Sequence, residues 1–329
     1  MGDRMTCRST ERLTIPSERG PGVLAPKGLR LPTFIVIGAM KAGTTSLFEY
    51  LRAHPQIFMP QVKEMDFFVE ELNWRRGIEW YGRQFRRLDP HVTAIGEASP
   101  SYAKYPEYAG VPERIASCAP DAQLIYVVRD PIERIRSHYQ HRAMTGSEHD
   151  PIERAVLRDP TYIDTSRYAM QIERYLHWFP REHLLLLSSE ELRSDRVTTL
   201  RRVLEFLRVD PRFVPPTIDR EFYRTEERAR YPRYVWWVRR NLKRFVPHSK
   251  RWWLRRTMNR YVQPPVQAKD PAEKVAGSPP GPTVPHQERT EAKVTVSEQL
   301  RERLADLLRE DVTRLRTYMS EGFDGWGIA

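Results

Sequence analysis

The chain has 329 residues, of which 40% are hydrophobic and 29% charged, so it can bury a large core and is not disordered throughout. Its two cysteines exclude a disulfide scaffold and a cysteine-rich zinc site, and they fit a reducing compartment. The net charge of +11 comes from one late segment, because positions 228 to 269 hold 13 Lys and Arg and no acidic residue, and 11 minus 13 leaves −2 elsewhere.

The first predicted element after the amino-terminal tail is a buried strand. Residues 1–30 lack apolar periodicity and the apolar region of a signal peptide, so we expect a flexible tail and a cytoplasmic protein. Phe34–Ile37 is a short apolar run that ends at a glycine, which is typical of a strand in a parallel sheet. A glycine-containing turn and a predicted helix over Ser46–Leu51 follow.

Further strands and helices alternate along the middle of the chain. Leu124–Val128 predicts a second buried strand, and Ile132–Met144 predicts a helix with proline in its first turn. The same patterns predict a helix at Ile172–Phe179, a strand at Leu184–Leu187 and a helix at Val197–Leu207. This alternation predicts an α/β, P-loop-like three-layer fold, with a central mainly parallel sheet and helices on both faces.

A basic, tryptophan-rich insertion is predicted at about 233–290. Four of the eight tryptophans form the pairs Trp236-Trp237 and Trp252-Trp253 within it, and its proline-rich end is predicted to be a loop. One interpretation is a helical insertion with a solvated basic face. The other is binding of a polyanionic substrate or, through residues 233–262, peripheral contact with an anionic membrane. We expect no nucleic-acid partner.

The last predicted element is an amphipathic helix over about 296–320, which completes a single domain over 31–329. Thr295 and Glu298 have the spacing of a capping box, and Gly322 marks the expected end. Apolar residues recur with the 3.6-residue period on one face, which we expect to be buried: Leu300, Leu304, Leu307, Leu308, Val312, Leu315 and Met319.

The turn after the first strand has the composition of an anion site. Gly38 and Gly43 have P-loop spacing, but Thr44 stands where a nucleotide triphosphatase has its lysine, and Lys41 lies inside the loop. Backbone N–H groups, a helix amino end and the hydroxyls of residues 44–46 can still bind an anion. Because a sulfuryl group carries one fewer charge than a γ-phosphate, a lysine and backbone N–H donors can bind it and stabilise its transfer without a metal. A P-loop kinase that uses Mg²⁺ and ATP is the alternative.

A second pair of polar residues follows the second strand. Arg129 leaves the strand, and Ser137 lies eight residues later on the predicted helix. A guanidinium and a hydroxyl can converge on one phosphate, and ligands of open α/β sheets bind at the carboxyl ends of the strands. Both motifs therefore predict a single nucleotide site at that edge of the sheet.

These motifs together resemble the sulfotransferases that use 3′-phosphoadenosine 5′-phosphosulfate (PAPS), in particular the heparan sulfate N- and O-sulfotransferase branch and its bacterial relatives. Residues 32–51 resemble the family's 5′-phosphosulfate loop, and residues 124–139 resemble its 3′-phosphate motif. Between them, Lys63–Phe68 is similar to the segment that carries the catalytic glutamate, and Gly96–Tyr102 also matches in place and order. One departure is Ala98, where the branch often has a lysine.

The resemblance implies roles for particular residues. The 5′-phosphosulfate of PAPS would be held by Lys41, Gly43, Thr44, Thr45 and Ser46. The 3′-phosphate would be held by Arg129 and Ser137. Phe222 would stack on the adenine, and Arg230 would contact the nucleotide from a closing loop. We expect no metal requirement.

The resemblance also implies a catalytic pair. Sulfuryl transfer needs a base near the acceptor and positive charge near the transferred group, and we assign these roles to Glu64 and Lys41. The alternatives are that Glu64 is a solvated partner of Lys63, or that His54 or His141 is the base. The expected acceptor is a hydroxyl or amine of a carbohydrate or glycoconjugate, with a lipid or secondary metabolite as the alternative.

Overall fold

The computed structural model describes residues 29–86, 88–220, 222 and 294–329. These residues divide between two compact units. The first comprises residues 29–86, 88–141, 150–220, 222 and 296–329, and the second comprises 142–149 with 294–295. In the second unit the carbonyl of Arg142 accepts the N–H groups of Ser147 and Glu148. The predicted insertion at 233–290, Arg230 and nearly all of the predicted tail lie outside the described residues, and the single domain over 31–329 stays a prediction.

The first unit is built on a parallel sheet of five strands. The strands are β1 (Phe34–Gly38), β2 (Ile57–Phe58), β3 (Ala94–Ala98), β4 (Gln123–Val128) and β5 (Leu184–Ser188). Their order is β2-β3-β1-β4-β5, and every neighbouring pair is parallel. The central strand β1 is buried throughout, as strands in the middle of a parallel sheet are. The predicted α/β fold class is confirmed.

Helices lie between the strands and follow the last strand. The first five are α1 (Thr44–Arg52), α2 (Ile78–Gly82), α3 (Val111–Cys118), α4 (Pro131–Met144) and α5 (Ile152–Arg158). The others are α6 (Thr161–Asp164), α7 (Tyr168–Leu176), α8 (Glu191–Ser194), α9 (Arg196–Phe206) and α10 (Glu298–Arg316).

The strand order places a crevice between β1 and β4. The connection after β1 leads to β2 at one edge of the sheet, whereas the connection after β4 leads to β5 at the other edge. Because the connections that follow these two neighbouring strands run toward opposite edges of the sheet, a crevice is left at the carboxyl ends of the strands. α/β proteins bind ligands in crevices of this kind. The glycine-containing turn and Arg129 are the first residues after these two strands.

Three local predictions about the later helices were wrong. α7 begins at Tyr168 instead of Ile172, because the Asp311 carboxylate of α10 accepts the N–H groups of Ala169 and Met170 at 3.0 and 2.9 Å. The α10 cap is Ser297 instead of Thr295, since the Ser297 hydroxyl accepts the N–H of Leu300. Leu307, predicted to be buried, is 42% exposed.

The contact between Asp311 and α7 predicts a stability effect. We expect Asp311→Asn to lower the free energy of unfolding by about 1–3 kcal/mol, because an amide has one acceptor oxygen where the buried carboxylate satisfies two backbone N–H groups. Urea denaturation followed by circular dichroism measures this change. Asp306→Asn on the exposed side of the same helix is the matched control, and equal stability of both variants would contradict the prediction.

Candidate functional site

The turn after β1 is shaped by two glycines. A Cβ on Gly38 would lie 2.8 Å from the buried Tyr126 ring of β4, so a side chain there would force that ring to move. Gly43 is the residue before α1 and has a left-handed φ of 95°, which glycine adopts without the steric cost of a Cβ. Among the described residues no side chain caps the amino end of α1. Its first N–H groups are therefore disposed to donate to an anion.

Arg129 joins the two predicted nucleotide motifs. Its Nη1 donates to the carbonyl of Lys41 at 3.1 Å, and its Nη2 lies 3.8 Å from Glu133 Oε2. The Tyr168 hydroxyl donates to the backbone carbonyl of Arg129 at 2.8 Å, which holds the strand end in place. The side chain is 12% exposed, and this burial lowers the pKa of Arg129. A poorly hydrated guanidinium binds an anion more strongly than an exposed one does.

The hydroxyls of the predicted site have different surroundings. Thr44 and Ser46 are buried at the start of α1, and Ser137 is buried on α4, the helix that begins just after Arg129. The Ser46 hydroxyl accepts the N–H of Phe222 at 3.1 Å. This bond brings a residue from beyond position 220 to the amino end of α1.

Phe222 lies against the first helix. Its ring meets the Tyr50 ring edge-on at 6.0 Å, and the Arg220 guanidinium lies 5.2 Å from the Phe222 centroid. The Tyr50 hydroxyl donates to the Arg220 carbonyl at 2.7 Å. The ring is only partly buried, so one part of it is available for stacking beside the phosphate loop.

Glu64 lies at the carboxyl end of β3. Its N–H donates to the carbonyl of Ala98 at 3.0 Å, which attaches the segment to the sheet beside β1. Its side chain is 56% exposed, and the Lys63 ammonium donates to Oε1 at 2.9 Å. The Lys63 contact that the sequence offered as an alternative thus exists, while the backbone position keeps the carboxylate at the edge where the nucleotide motifs lie.

His54 has a structural role. It is 2% exposed, its Nδ1 accepts the N–H of Gln56 at 3.1 Å, and its Nε2 lies 3.0 Å from the Asp210 carbonyl. Since Nδ1 accepts, Nε2 carries the proton and donates. Both ring nitrogens are therefore engaged with the backbone, which excludes His54 as the base.

A buried carboxylate next to this segment was missed as a functional residue. Glu97 has no exposed surface and accepts hydrogen bonds from the hydroxyls of Tyr81 at 2.6 Å, Tyr102 at 2.7 Å and Ser99 at 2.9 Å. Burial raises the pKa of Glu97 to about 7, and the three hydroxyls oppose that rise. Its signal in the sequence was its place in the Gly96–Tyr102 motif, because β3 was not predicted as a strand and the burial of Glu97 could not be read from the sequence.

The described ranges contain neither a metal-binding cluster nor a membrane-spanning helix. Across 29–86, 88–220, 222 and 294–329, no three His, Cys, Asp or Glu side chains form a group that could hold a metal ion. In the same part of the chain, no helix has the length and apolar composition needed to cross a membrane.

Comparisons with known proteins agree with this geometry. Human bifunctional heparan sulfate N-deacetylase/N-sulfotransferase 3 is 35% identical over 205 residues, which is 56% of this chain and 23% of that protein. Mouse heparan sulfate glucosamine 3-O-sulfotransferase 3A1 is 35% identical over 205 residues, 58% of this chain and 50% of that protein. The chain therefore matches half or less of the length of these relatives.

A solved structure and a family profile extend the comparison. The crystal structure of a sulfotransferase from Alicyclobacillus acidocaldarius superposes with a TM-score of 0.52 and 30% identity, over 66% of this chain and 91% of that one. The profile described as the sulfotransferase domain matches residues 31–226, which is more than half of the chain and includes every described residue of the candidate site. The chain therefore belongs to the sulfotransferase family.

Proposed function

We propose that this chain transfers a sulfuryl group from PAPS to a hydroxyl or amine of a carbohydrate acceptor. The observation that carries the proposal is the hydrogen bond from Arg129 Nη1 to the Lys41 carbonyl. It brings the glycine-containing turn and a largely buried guanidinium together at the carboxyl edge of the sheet, as a nucleotide with phosphate groups at both ribose ends requires.

The residues present fit this co-substrate. Lys41 and the N–H groups of residues 43–46 would hold the 5′-phosphosulfate at the uncapped end of α1. Arg129 and Ser137 would hold the 3′-phosphate, and Phe222 would stack on the adenine. Arg230, which lies outside the described residues, stays a predicted contact.

Glu64 would act as the base in the transfer. It would take the proton of the acceptor as that oxygen or nitrogen attacks sulfur, while Lys41 stabilises the charge that develops on the leaving phosphate oxygen. Lys63 would hold the Glu64 carboxylate by its hydrogen bond until the acceptor binds. A sulfuryl group places less charge on the site than a γ-phosphate does, so these side chains suffice in our proposal without a metal ion.

The names of the two heparan sulfate relatives support a carbohydrate acceptor. The family match does not favour the P-loop kinase alternative. The cytoplasmic location and the peripheral membrane contact through residues 233–262 remain predictions from the sequence.

Nucleotide binding provides the direct test. We expect adenosine 3′,5′-bisphosphate to bind in isothermal titration calorimetry with about micromolar affinity, equally with Mg²⁺ and with EDTA, because the proposed contacts are cations and backbone donors. ATP with Mg²⁺ is the comparison ligand. Preference for Mg-ATP, or loss of bisphosphate binding in EDTA, would contradict the proposal. Transfer of labelled sulfate from PAPS to heparan sulfate, chitooligosaccharides or glycolipids then tests the acceptor class.

A further inference from the structure

The segment that carries Glu64 has an unfavourable backbone conformation that other parts of the fold must stabilise. Glu64 and Asp66 have left-handed φ angles of 63° and 49°, which are unfavourable for residues with a Cβ. Contacts from elsewhere in the fold must therefore keep this segment in place. Two of its carbonyls accept hydrogen bonds from side chains. Asn73 Nδ2 donates to the Met65 carbonyl and Arg114 Nε donates to the Phe68 carbonyl, both at 2.7 Å.

Beyond Glu64, whose N–H donates to the Ala98 carbonyl, the N–H groups of Asp66 and Phe67 are held by two hydroxyls. The N–H of Asp66 donates to the Ser99 hydroxyl at 3.1 Å, and the N–H of Phe67 donates to the Tyr102 hydroxyl at 2.9 Å. A hydroxyl has a single proton, so it can accept reliably from a backbone N–H only when that proton is directed elsewhere.

Glu97 directs both protons. The Ser99 hydroxyl donates to Glu97 Oε2 and the Tyr102 hydroxyl donates to Glu97 Oε1, at 2.9 and 2.7 Å. With its proton committed to the carboxylate, each hydroxyl presents its lone pairs to the segment. The Glu97 carboxylate is thus hydrogen-bonded to each hydroxyl, and each hydroxyl is hydrogen-bonded to the backbone beside Glu64.

We propose that Glu97 is a positioning residue for sulfuryl transfer, which holds the Lys63–Phe68 segment, and with it the Glu64 carboxylate, through the hydroxyls of Ser99 and Tyr102. This inference rests on the proposed function. Glu97 has no exposed surface, so it touches neither nucleotide nor acceptor and acts only through these neighbours.

Glu97→Gln tests this role with little change in volume. The NH₂ group of the new glutamine would donate to one of these hydroxyls, so that hydroxyl could no longer donate to residue 97. The amide NH₂ and the backbone N–H of the segment would then compete for the lone pairs of the same hydroxyl oxygen. Assays at about pH 8.5 keep Glu97 of the wild type ionised. Asp311→Asn is the matched control, because it also converts a buried carboxylate that serves backbone N–H groups. Ser99→Ala is the second variant if Glu97→Gln does not fold.

Two readouts are needed, kcat and amide hydrogen exchange. We expect Glu97→Gln to lower kcat about tenfold or more and to leave bisphosphate affinity within about twofold. We also expect exchange at Asp66 and Phe67 to be about tenfold faster. In a Glu64→Gln background the added loss of kcat should shrink to about twofold or less, because the two residues act as one unit. Asp311→Asn should leave kcat and bisphosphate affinity unchanged, and it should not accelerate exchange at Asp66 and Phe67 beyond the acceleration that its lower global stability causes at all core amides.

The outcomes separate this inference from the proposed function. If the wild type transfers sulfate while Glu97→Gln keeps full kcat and unchanged exchange, Glu97 does not position the segment. An equal loss of kcat with and without Glu64, or the same loss in Asp311→Asn, would also overturn the inference, since a general structural defect would explain it. A wild type that transfers no sulfate, with exchange accelerated only in Glu97→Gln, would support the positioning role while refuting the proposed function.

Discussion

Glu64→Gln is expected to lower kcat for sulfuryl transfer by about 10²–10⁴-fold, the range that a general base contributes. The amide retains the size of the side chain but cannot accept the acceptor's proton. The variant leaves the proposed nucleotide contacts of Lys41 and Arg129 in place, so bisphosphate affinity should not change. Steady-state transfer of labelled sulfate from PAPS, with calorimetry on the same preparations, measures both quantities.

Glu70→Gln is the matched control for this experiment. Glu70 lies six residues later, its side chain is 52% exposed against 56% for Glu64, and it also pairs with basic side chains, those of Arg75 and Arg114. We expect its kcat to equal that of the wild type. Full activity of Glu64→Gln, or an equal loss in Glu70→Gln, would show that Glu64 is only the solvated partner of Lys63.

Arg129→Ala is expected to weaken adenosine 3′,5′-bisphosphate binding by about 10²–10³-fold, as loss of a largely buried charged partner does. The variant loses the proposed phosphate contact, and it also loses the hydrogen bond that holds the Lys41 carbonyl. Isothermal titration calorimetry measures the change, and urea denaturation of the same variant verifies that it is folded.

Two controls separate charge from geometry at Arg129. Arg129→Lys keeps the charge but lacks the planar set of donors, so it should recover only part of the affinity. Arg212→Ala removes an exposed arginine whose partner is Asp210, and it should bind the bisphosphate as the wild type does. Unchanged binding in Arg129→Ala would remove this residue from the nucleotide site.

Strands with apolar runs of four or more residues were predictable, and the others were not. β1, β4 and β5 contain such runs of Ile, Leu, Val, Tyr and Phe, whereas β3 reads Ala-Ile-Gly-Glu-Ala. Gly96 is needed there because a Cβ would lie 2.0 Å from the Phe34 ring of β1. Nothing near Gly96 in the sequence reveals that neighbour, so β3 was missed.

The same distinction holds for the candidate site. The glycine-containing turn and the Arg129 motif are runs of consecutive residues, each of which follows a recognisable strand. The hydroxyls that surround Glu97 come from α2, the end of β3 and the turn after it. Asp311 reaches α7 from more than 140 residues away. Pairings of this kind depend on the path of the chain and leave no periodic pattern.

The alternation of strands and helices, the glycine-containing turn and the sulfotransferase resemblance could be read from the sequence, and Arg129 and Ser137 were predicted from it as a phosphate contact. These depend on local spacing, because backbone geometry and side-chain periodicity act over a few residues. The tertiary structure alone decided that Arg129 supports the Lys41 loop, that His54 is bonded to the backbone, and that Glu97 is the buried centre of the network beside Glu64. Each of these depends on burial, which makes an unpaired polar group costly and so selects partners that are distant in the sequence.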